Sequence, residues 1–203
     1  MFRFPAAPDV LERLQIPDAD LLYASEIDLG APYDAVLRSL IATIPWRSES
    51  IVLWGRTYAQ PRLIAWFGDE GKNYTYSGLT LVPLPWTPLL AQIKECVERL
   101  TAVQFNSVLL NYYRDGNDGM GMHSDDEPEL GPNPIIASLS LGAERTFILK
   151  HRMQREAKPL HLQLSSGSLL LMQGETQKHW KHGIAKEKRA CGPRVNLNFR
   201  RIV

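Results

Sequence analysis

The sequence predicts a mainly β fold with flanking helices, an α+β arrangement whose strands form a sandwich or jelly roll. Three observations carry this. Helical periodicity is confined to two stretches before residue 103. The chain after that point reads as short strands broken by turn residues. Finally, 203 residues with 44% hydrophobic and 22% charged side chains are enough to bury one core, which excludes a disordered or fibrous chain.

The elements follow in order. An extended opening segment contains one expected strand, Leu21 to Leu29. A helix is expected from Pro32 to Ile44, because proline suits a first turn and Val36, Leu37, Leu40, Ile41 and Ile44 share a face. A second helix begins after Thr87 as cap and Pro88 at the first helical position; Leu89, Leu90, Ile93, Val97 and Leu100 recur at helical spacing. The expected strands are Ser107–Tyr113, Ile135–Leu141, Thr146–Lys150, Leu160–Leu164, Ser168–Met172 and Arg194–Ile202. Turn residues separate them: Asp115-Gly116-Asn117, Gly142, Ser166-Gly167 and Gly174. A single domain is expected: residues 1–49 form an extension and first helix, 50–106 a recognition region and second helix, and 107–203 the β core.

Several classes are excluded or disfavoured. No stretch approaches the roughly 18 apolar residues of a membrane span. The start, Met1 to Pro5, lacks the basic flank and apolar run of a secretory signal. Cys96 and Cys191 have no metal-type spacing and read as reduced thiols, so an intracellular, reducing compartment is expected. The net charge of +1 hides an asymmetry: residues 145–203 are strongly basic and the rest acidic by nearly as much. That permits a basic face for a polyanion without establishing one.

The chemistry lies on the strands. His123-Ser124-Asp125 places an imidazole and a carboxylate two apart, on one side of an extended segment. A later histidine, His179 or its rival His182, completes a facial triad of the kind that leaves three iron positions open. A lone His-x-Asp occurs by chance in many proteins. The third element is Arg194-Val195-Asn196-Leu197-Asn198-Phe199-Arg200, whose alternation gives one apolar face and one bearing two guanidinium groups. Two forked cations facing a metal suit the two carboxylates of a dicarboxylate.

With these segments the sequence resembles the AlkB family of Fe(II)/2-oxoglutarate dioxygenases over roughly residues 50–202. The matching stretches are Pro61-Arg62, Tyr74-Thr75-Tyr76-Ser77-Gly78, Asn111-Tyr112-Tyr113, His123-Ser124-Asp125-Asp126-Glu127 and Pro134-Ile135-Ile136-Ala137-Ser138. Gly142-Ala143, Gly167-Ser168-Leu169-Leu170, His179-Trp180 and the Arg194–Arg200 strand complete the set. Within the family it looks most like the mammalian-type DNA-repair branch.

The resemblance implies a double-stranded β-helix, a jelly roll. It implies Fe(II) held by His123, Asp125 and His179, and 2-oxoglutarate bound by Asn111, Tyr113, Arg194, Asn196 and Arg200. Arg194 then faces the distal carboxylate and Arg200 the one beside the keto group. Tyr74, Tyr76, Ser77 and Glu127 would form the pocket for a damaged base, with O2 as second cosubstrate. The implied reaction is oxidative demethylation of 1-methyladenine and 3-methylcytosine in DNA, releasing formaldehyde, succinate and CO2. The alternatives are an RNA demethylase, an oxygenase of protein side chains or small molecules, and a silent nucleic-acid binding module. A monomer acting on single- or double-stranded DNA is expected, cytoplasmic in a bacterium or nuclear in a eukaryote. Val52-Leu53-Trp54-Gly55 aligns loosely with a DNA-wedging finger, and Arg152, Arg155, Lys158, Lys178 and Lys181 are candidates for phosphate contact.

Overall fold

The computed structural model describes residues 10–53, 56–76, 79–154 and 156–203; side chains at 51–53, 56–57, 76 and 79 lie outside that description. The elements run β1 (Glu12–Leu14), β2 (Asp20–Ala24), α1 (Tyr33–Thr43), β3 (Ser50–Leu53), β4 (Arg56–Ala59), β5 (Leu63–Gly68), β6 (Tyr74–Tyr76), β7 (Leu79–Leu81) and α2 (Pro88–Thr101). They continue through β8 (Ser107–Tyr113), β9 (Met120–His123), a 3-10 turn (Pro128–Leu130), β10 (Ile136–Gly142), β11 (Arg145–His151), β12 (Leu160–Leu164) and β13 (Leu169–Gln173). The last are α3 (Thr176–His179), β14 (Trp180–Ile184) and β15 (Arg194–Arg200).

Two facing antiparallel sheets make the jelly roll. The major sheet has seven strands in the order β1-β2-β13-β10-β15-β8-β5, and the minor sheet four, in the order β12-β11-β14-β9. Two hairpins, β3-β4 and β6-β7, stand apart from both. Strands β8 and β12 keep their expected bounds. The strand expected from Leu21 to Leu29 stops at Ala24, because the chain then bends and the Asp28 carboxylate accepts the Gly30 amide at 2.7 Å. Strands β5 and β14 and the turn α3 were not foreseen.

Both helices form as their sequences dictate. Pro32 precedes α1, and Thr87 Oγ1 accepts the Leu90 amide at 3.2 Å to cap α2. Their apolar faces, Val36, Leu37 and Leu40 on one and Leu90, Ile93 and Val97 on the other, pack on the outer face of the major sheet. Strand alternation does the rest: Val195, Leu197 and Phe199 join that helix-covered core, so Arg194, Asn196, Asn198 and Arg200 turn inward between the sheets. A second core fills the inner space around Tyr113, Phe147, Leu149, Leu170 and Trp180. Gly142, at φ 96°, closes the β10–β11 turn where a Cβ would lie 2.3 Å from the Pro193 carbonyl oxygen.

Candidate metal and dicarboxylate site

The minor sheet brings the metal-type residues together. His123 ends β9, and its register partner on β14 is His182. Asp125 lies just beyond β9, with Oδ1 at 3.7 Å from His123 Nε2 and Oδ2 at 3.6 Å from His182 Nε2. The ligating atoms of His123, Asp125 and His182 all fall within 4.8 Å of one another. His123 Nδ1 lies 2.9 Å from the Gly121 carbonyl oxygen, which can only accept. The proton therefore sits on Nδ1 and the Nε2 lone pair faces the other two ligands.

His179 is not part of this group, and the expectation that it completes the triad is corrected here. It closes α3 and stacks with His151 at 5.9 Å, beside Asp18. The reason is periodicity. Trp180, His182 and Ile184 alternate inward along β14 while Lys181 points to solvent, so the imidazole that reaches the inner cavity is two residues after the tryptophan.

Electrostatics favour neutral imidazoles and an ionised carboxylate. Burial, and then the neighbouring His123, hold the His182 pKa down to about 3. Burial likewise lowers His123. Burial alone would raise Asp125, yet the charge and hydrogen bond of Arg200 keep it below the usual carboxylate range. Arg200 Nη2 donates to Asp125 Oδ1 at 2.9 Å.

The residues expected to bind a dicarboxylate line the same cavity. Asn111, Tyr113, Arg194, Asn196 and Arg200 surround it with His123 and His182. Register aligns Tyr113 with Arg194 and Asn111 with Asn196. Arg194 is 1% exposed; its Nη2 donates to Ser140 Oγ at 3.0 Å, its guanidinium lies 5.1 Å from the Tyr113 ring centroid, and Nε and Nη1 have no hydrogen-bond partner. No described carboxylate pairs with it. A buried guanidinium without an anion is costly, which fits a carboxylate ligand arriving from outside. Arg200, beside Asp125, also leaves Nε and Nη1 unpartnered. Sequence reasoning assigned no role to Arg62, Ser138, Ser140 or Asn198. Arg62 is buried, and its Nε donates to Asn111 Oδ1 at 2.8 Å. Three buried guanidiniums, Arg62, Arg194 and Arg200, thus surround a site whose one fully buried carboxylate is Asp125.

At the rim, Tyr74 is 0% exposed, lies along Trp66 with centroids 4.9 Å apart, and carries the Arg200 guanidinium 5.0 Å over its ring. Its ring is enclosed, and its hydroxyl interacts with Glu127 and Arg200. Burial, and then Asp125, raise the Glu127 pKa. The Tyr76 side chain and the whole of Ser77, Trp54, Gly55 and Arg155 lie outside the described residues. Among the other basic candidates, Arg152 pairs with Asp126 at 3.0 Å and Lys178 with Glu175 at 2.8 Å.

Comparison with known proteins agrees with this chemistry. The 2OG-Fe(II) oxygenase superfamily model matches residues 32–200. The mouse DNA oxidative demethylase ALKBH2 is 42% identical over 182 residues, covering 85% of this chain and 76% of that protein. The mouse alpha-ketoglutarate-dependent dioxygenase alkB homolog 3 is 42% identical over 189 residues, covering 89% of this chain and 65% of that protein, so the chain spans just under two thirds of its length. The solved structure of OsALKBH1 superposes with a TM-score of 0.61 at 16% identity, covering 95% of this chain and 100% of that one, a likeness of fold. The chain belongs to the AlkB family of 2OG-Fe(II) oxygenases, enzymes that use Fe(II), 2-oxoglutarate and O2.

Proposed function

We propose that this protein oxidatively demethylates alkylated bases in nucleic acid, with 1-methyladenine and 3-methylcytosine in DNA as its substrates. The observation that carries the reading is the meeting of His123, Asp125 and His182 with two part-satisfied buried arginines, next to the Tyr74–Glu127–Arg200 cluster. The relatives named as DNA oxidative demethylase and alkB homolog 3 support it.

His123, Asp125 and His182 would hold Fe(II) through two neutral imidazole nitrogens and one carboxylate oxygen. Arg194 takes the distal carboxylate of 2-oxoglutarate by its unpartnered Nε and Nη1, with Tyr113, Asn111 and Asn196 lining the path. Arg200 serves the carboxylate beside the keto group while keeping Asp125 ionised. Once bound, these cosubstrates and O2 supply the oxidant that hydroxylates a methyl group on a ring nitrogen, chemistry that no side chain here could perform. Glu127 faces a cationic methylated ring with opposite charge, and such a base, unable to pair, is cheaper to flip out. Residues 50–106 serve nucleotide recognition in this scheme, and the core after them the chemistry. Cys96 and Cys191 are unpaired, in keeping with an intracellular, reducing setting, and no described helix is long and apolar enough to cross a membrane.

The test is formaldehyde release and base recovery from single- and double-stranded DNA, and from RNA, carrying each lesion. DNA oligonucleotides should be repaired, and Glu127→Ala should cost more repair than uncoupled 2-oxoglutarate decay. Robust hydroxylation of a peptide with no release from any oligonucleotide would leave only the oxygenase chemistry.

A further inference from the structure

Asp125 is held from behind by a residue that the iron reading does not use. Sheet pairing between β9 and β14 reaches no further than His123, and it is irregular between His182 and Ile184. Beyond that point Asp125 has no strand neighbour to take its amide. The amide instead donates to Gln177 Oε1 at 3.0 Å, and Gln177 is 1% exposed. An N–H demands an acceptor, so the carbonyl end of the Gln177 amide faces Asp125, and Nε2 is left against Met172 Sδ at 3.6 Å. One residue earlier, Ser124 Oγ donates to the Trp180 carbonyl oxygen at 2.9 Å. The turn carrying Gln177 is itself anchored: buried Thr176 accepts the Asp20 amide at 2.9 Å and donates to the Gln173 carbonyl at 2.6 Å.

We propose, resting on the iron site above, that Gln177 is a positioning residue for Asp125 and forms with Ser124 a latch between residues 124–125 and 177–180. The latch replaces the missing strand pairing and keeps the carboxylate aimed between His123 and His182. Groups behind a ligand set its orientation, and their loss typically weakens metal binding.

The test uses the full chain with Gln177→Leu, Gln177→Glu and Ser124→Ala, titrated with Co(II) and followed by its visible spectrum and by circular dichroism. Gln177→Leu should stay folded and bind Co(II) about 10–100-fold more weakly, with altered absorption bands. Gln177→Glu keeps the acceptor and should recover most of the affinity; Ser124→Ala should lose a smaller factor. Wild-type affinity and spectrum in folded Gln177→Leu would overturn the latch, as would a Gln177→Glu chain weakened as much as the leucine variant. Should Gln177→Leu fail to fold, Ser124→Ala decides, and unchanged affinity and spectrum there overturns the proposal. A wild-type chain that takes up no Co(II) overturns the iron site itself, and the latch with it.

Discussion

Among the described residues, two groups bring histidines and a carboxylate together, His123–Asp125–His182 and Asp18–His151–His179, and in each the potential ligand atoms fall within 4.8 Å of one another. Composition does not separate them; the backbone behind the rings does. His123 Nδ1 meets a carbonyl oxygen, so Nε2 is left as a lone pair aimed at its neighbours. His151 Nδ1 instead accepts the amides of Met153 and Gln154 at 3.2 and 2.9 Å, so its proton sits on Nε2 and is donated to Asp18 at 3.2 Å. Both of its nitrogens are committed. Gln154 Nε2 also donates to Asp18, and Trp180 Nε1 to the Pro17 carbonyl, which fastens the N-terminal segment to the core. One group leaves a lone pair aimed at its neighbours, and the other closes a seam. The lesson is that the hydrogen bond on the far side of an imidazole decides between these roles.

The largest expected effect breaks or upholds this contrast directly. His123→Ala, Asp125→Ala or His182→Ala should abolish 2-oxoglutarate turnover and tight Fe(II) or Co(II) uptake. His179→Ala should keep both. Metal lost from His179→Ala and kept by His182→Ala would reverse the assignment.

The next effect concerns the buried cations. In the Asp18 group every charge is satisfied locally, whereas Arg194 meets no carboxylate among the described residues, and Arg200, paired with Asp125, leaves Nε and Nη1 unpartnered. Arg194→Met or Arg200→Met should weaken 2-oxoglutarate binding by roughly 2–5 kcal/mol, the usual cost of removing one partner of a buried charge pair. Titration of Co(II)-loaded protein with 2-oxoglutarate measures this. Unchanged affinity in both variants would sink the clamp.

How much of this was legible in the sequence follows from how local each signal is. The alternation of Arg194 through Arg200 lies within one strand, and its two faces were readable at once. The caps of α2 were equally local. Strand β5 was passed over although Leu63 to Phe67 is a continuous apolar run, because such a run does not distinguish strand from helix by period. The three-residue strands β6 and β7 are too short for any period to show. Choosing between His179 and His182 depended on β14 pairing with β9 and β11, partners distant in the chain. Arg62 was silent for the same reason: its partner Asn111 lies on β8, 49 residues away.

A smaller effect separates stability from catalysis. His151→Ala removes a buried ring that accepts two amides and donates to Asp18. It should lower unfolding free energy by about 1–3 kcal/mol, since groups left without partners carry that cost. Metal affinity and turnover should persist. Urea unfolding alongside Co(II) titration checks both; loss of metal with stability intact would show the second group to be part of the site.

The smallest effect is one of pH, and its sign follows from the lowered pKa values of His123 and His182. An ordinary imidazole near pKa 6.5 falls from about 90% neutral at pH 7.5 to roughly a quarter neutral at pH 6. Two such ligands would together cost roughly 14-fold in metal affinity over that range, because protons compete for the same lone pairs. Burial keeps His182 neutral until about pH 3 and lowers His123 in the same direction, so protons compete weakly at pH 6. Co(II) affinity should therefore fall by less than that roughly 14-fold between pH 7.5 and 6. The metal-free fold behaves differently. A histidine whose folded pKa is depressed contributes stability that is full above its unfolded value of 6.5 and lost as pH falls toward the folded one. Unfolding free energy of the metal-free protein should decline below pH 6.5 while Co(II) affinity falls by less than two ordinary imidazoles would cost it. Asp125, also lowered, adds its own loss only in stronger acid. A fall in affinity near the 14-fold of two ordinary imidazoles would show that the pair is not held neutral by burial. The distinction between the two histidine groups would then rest on hydrogen-bond direction alone.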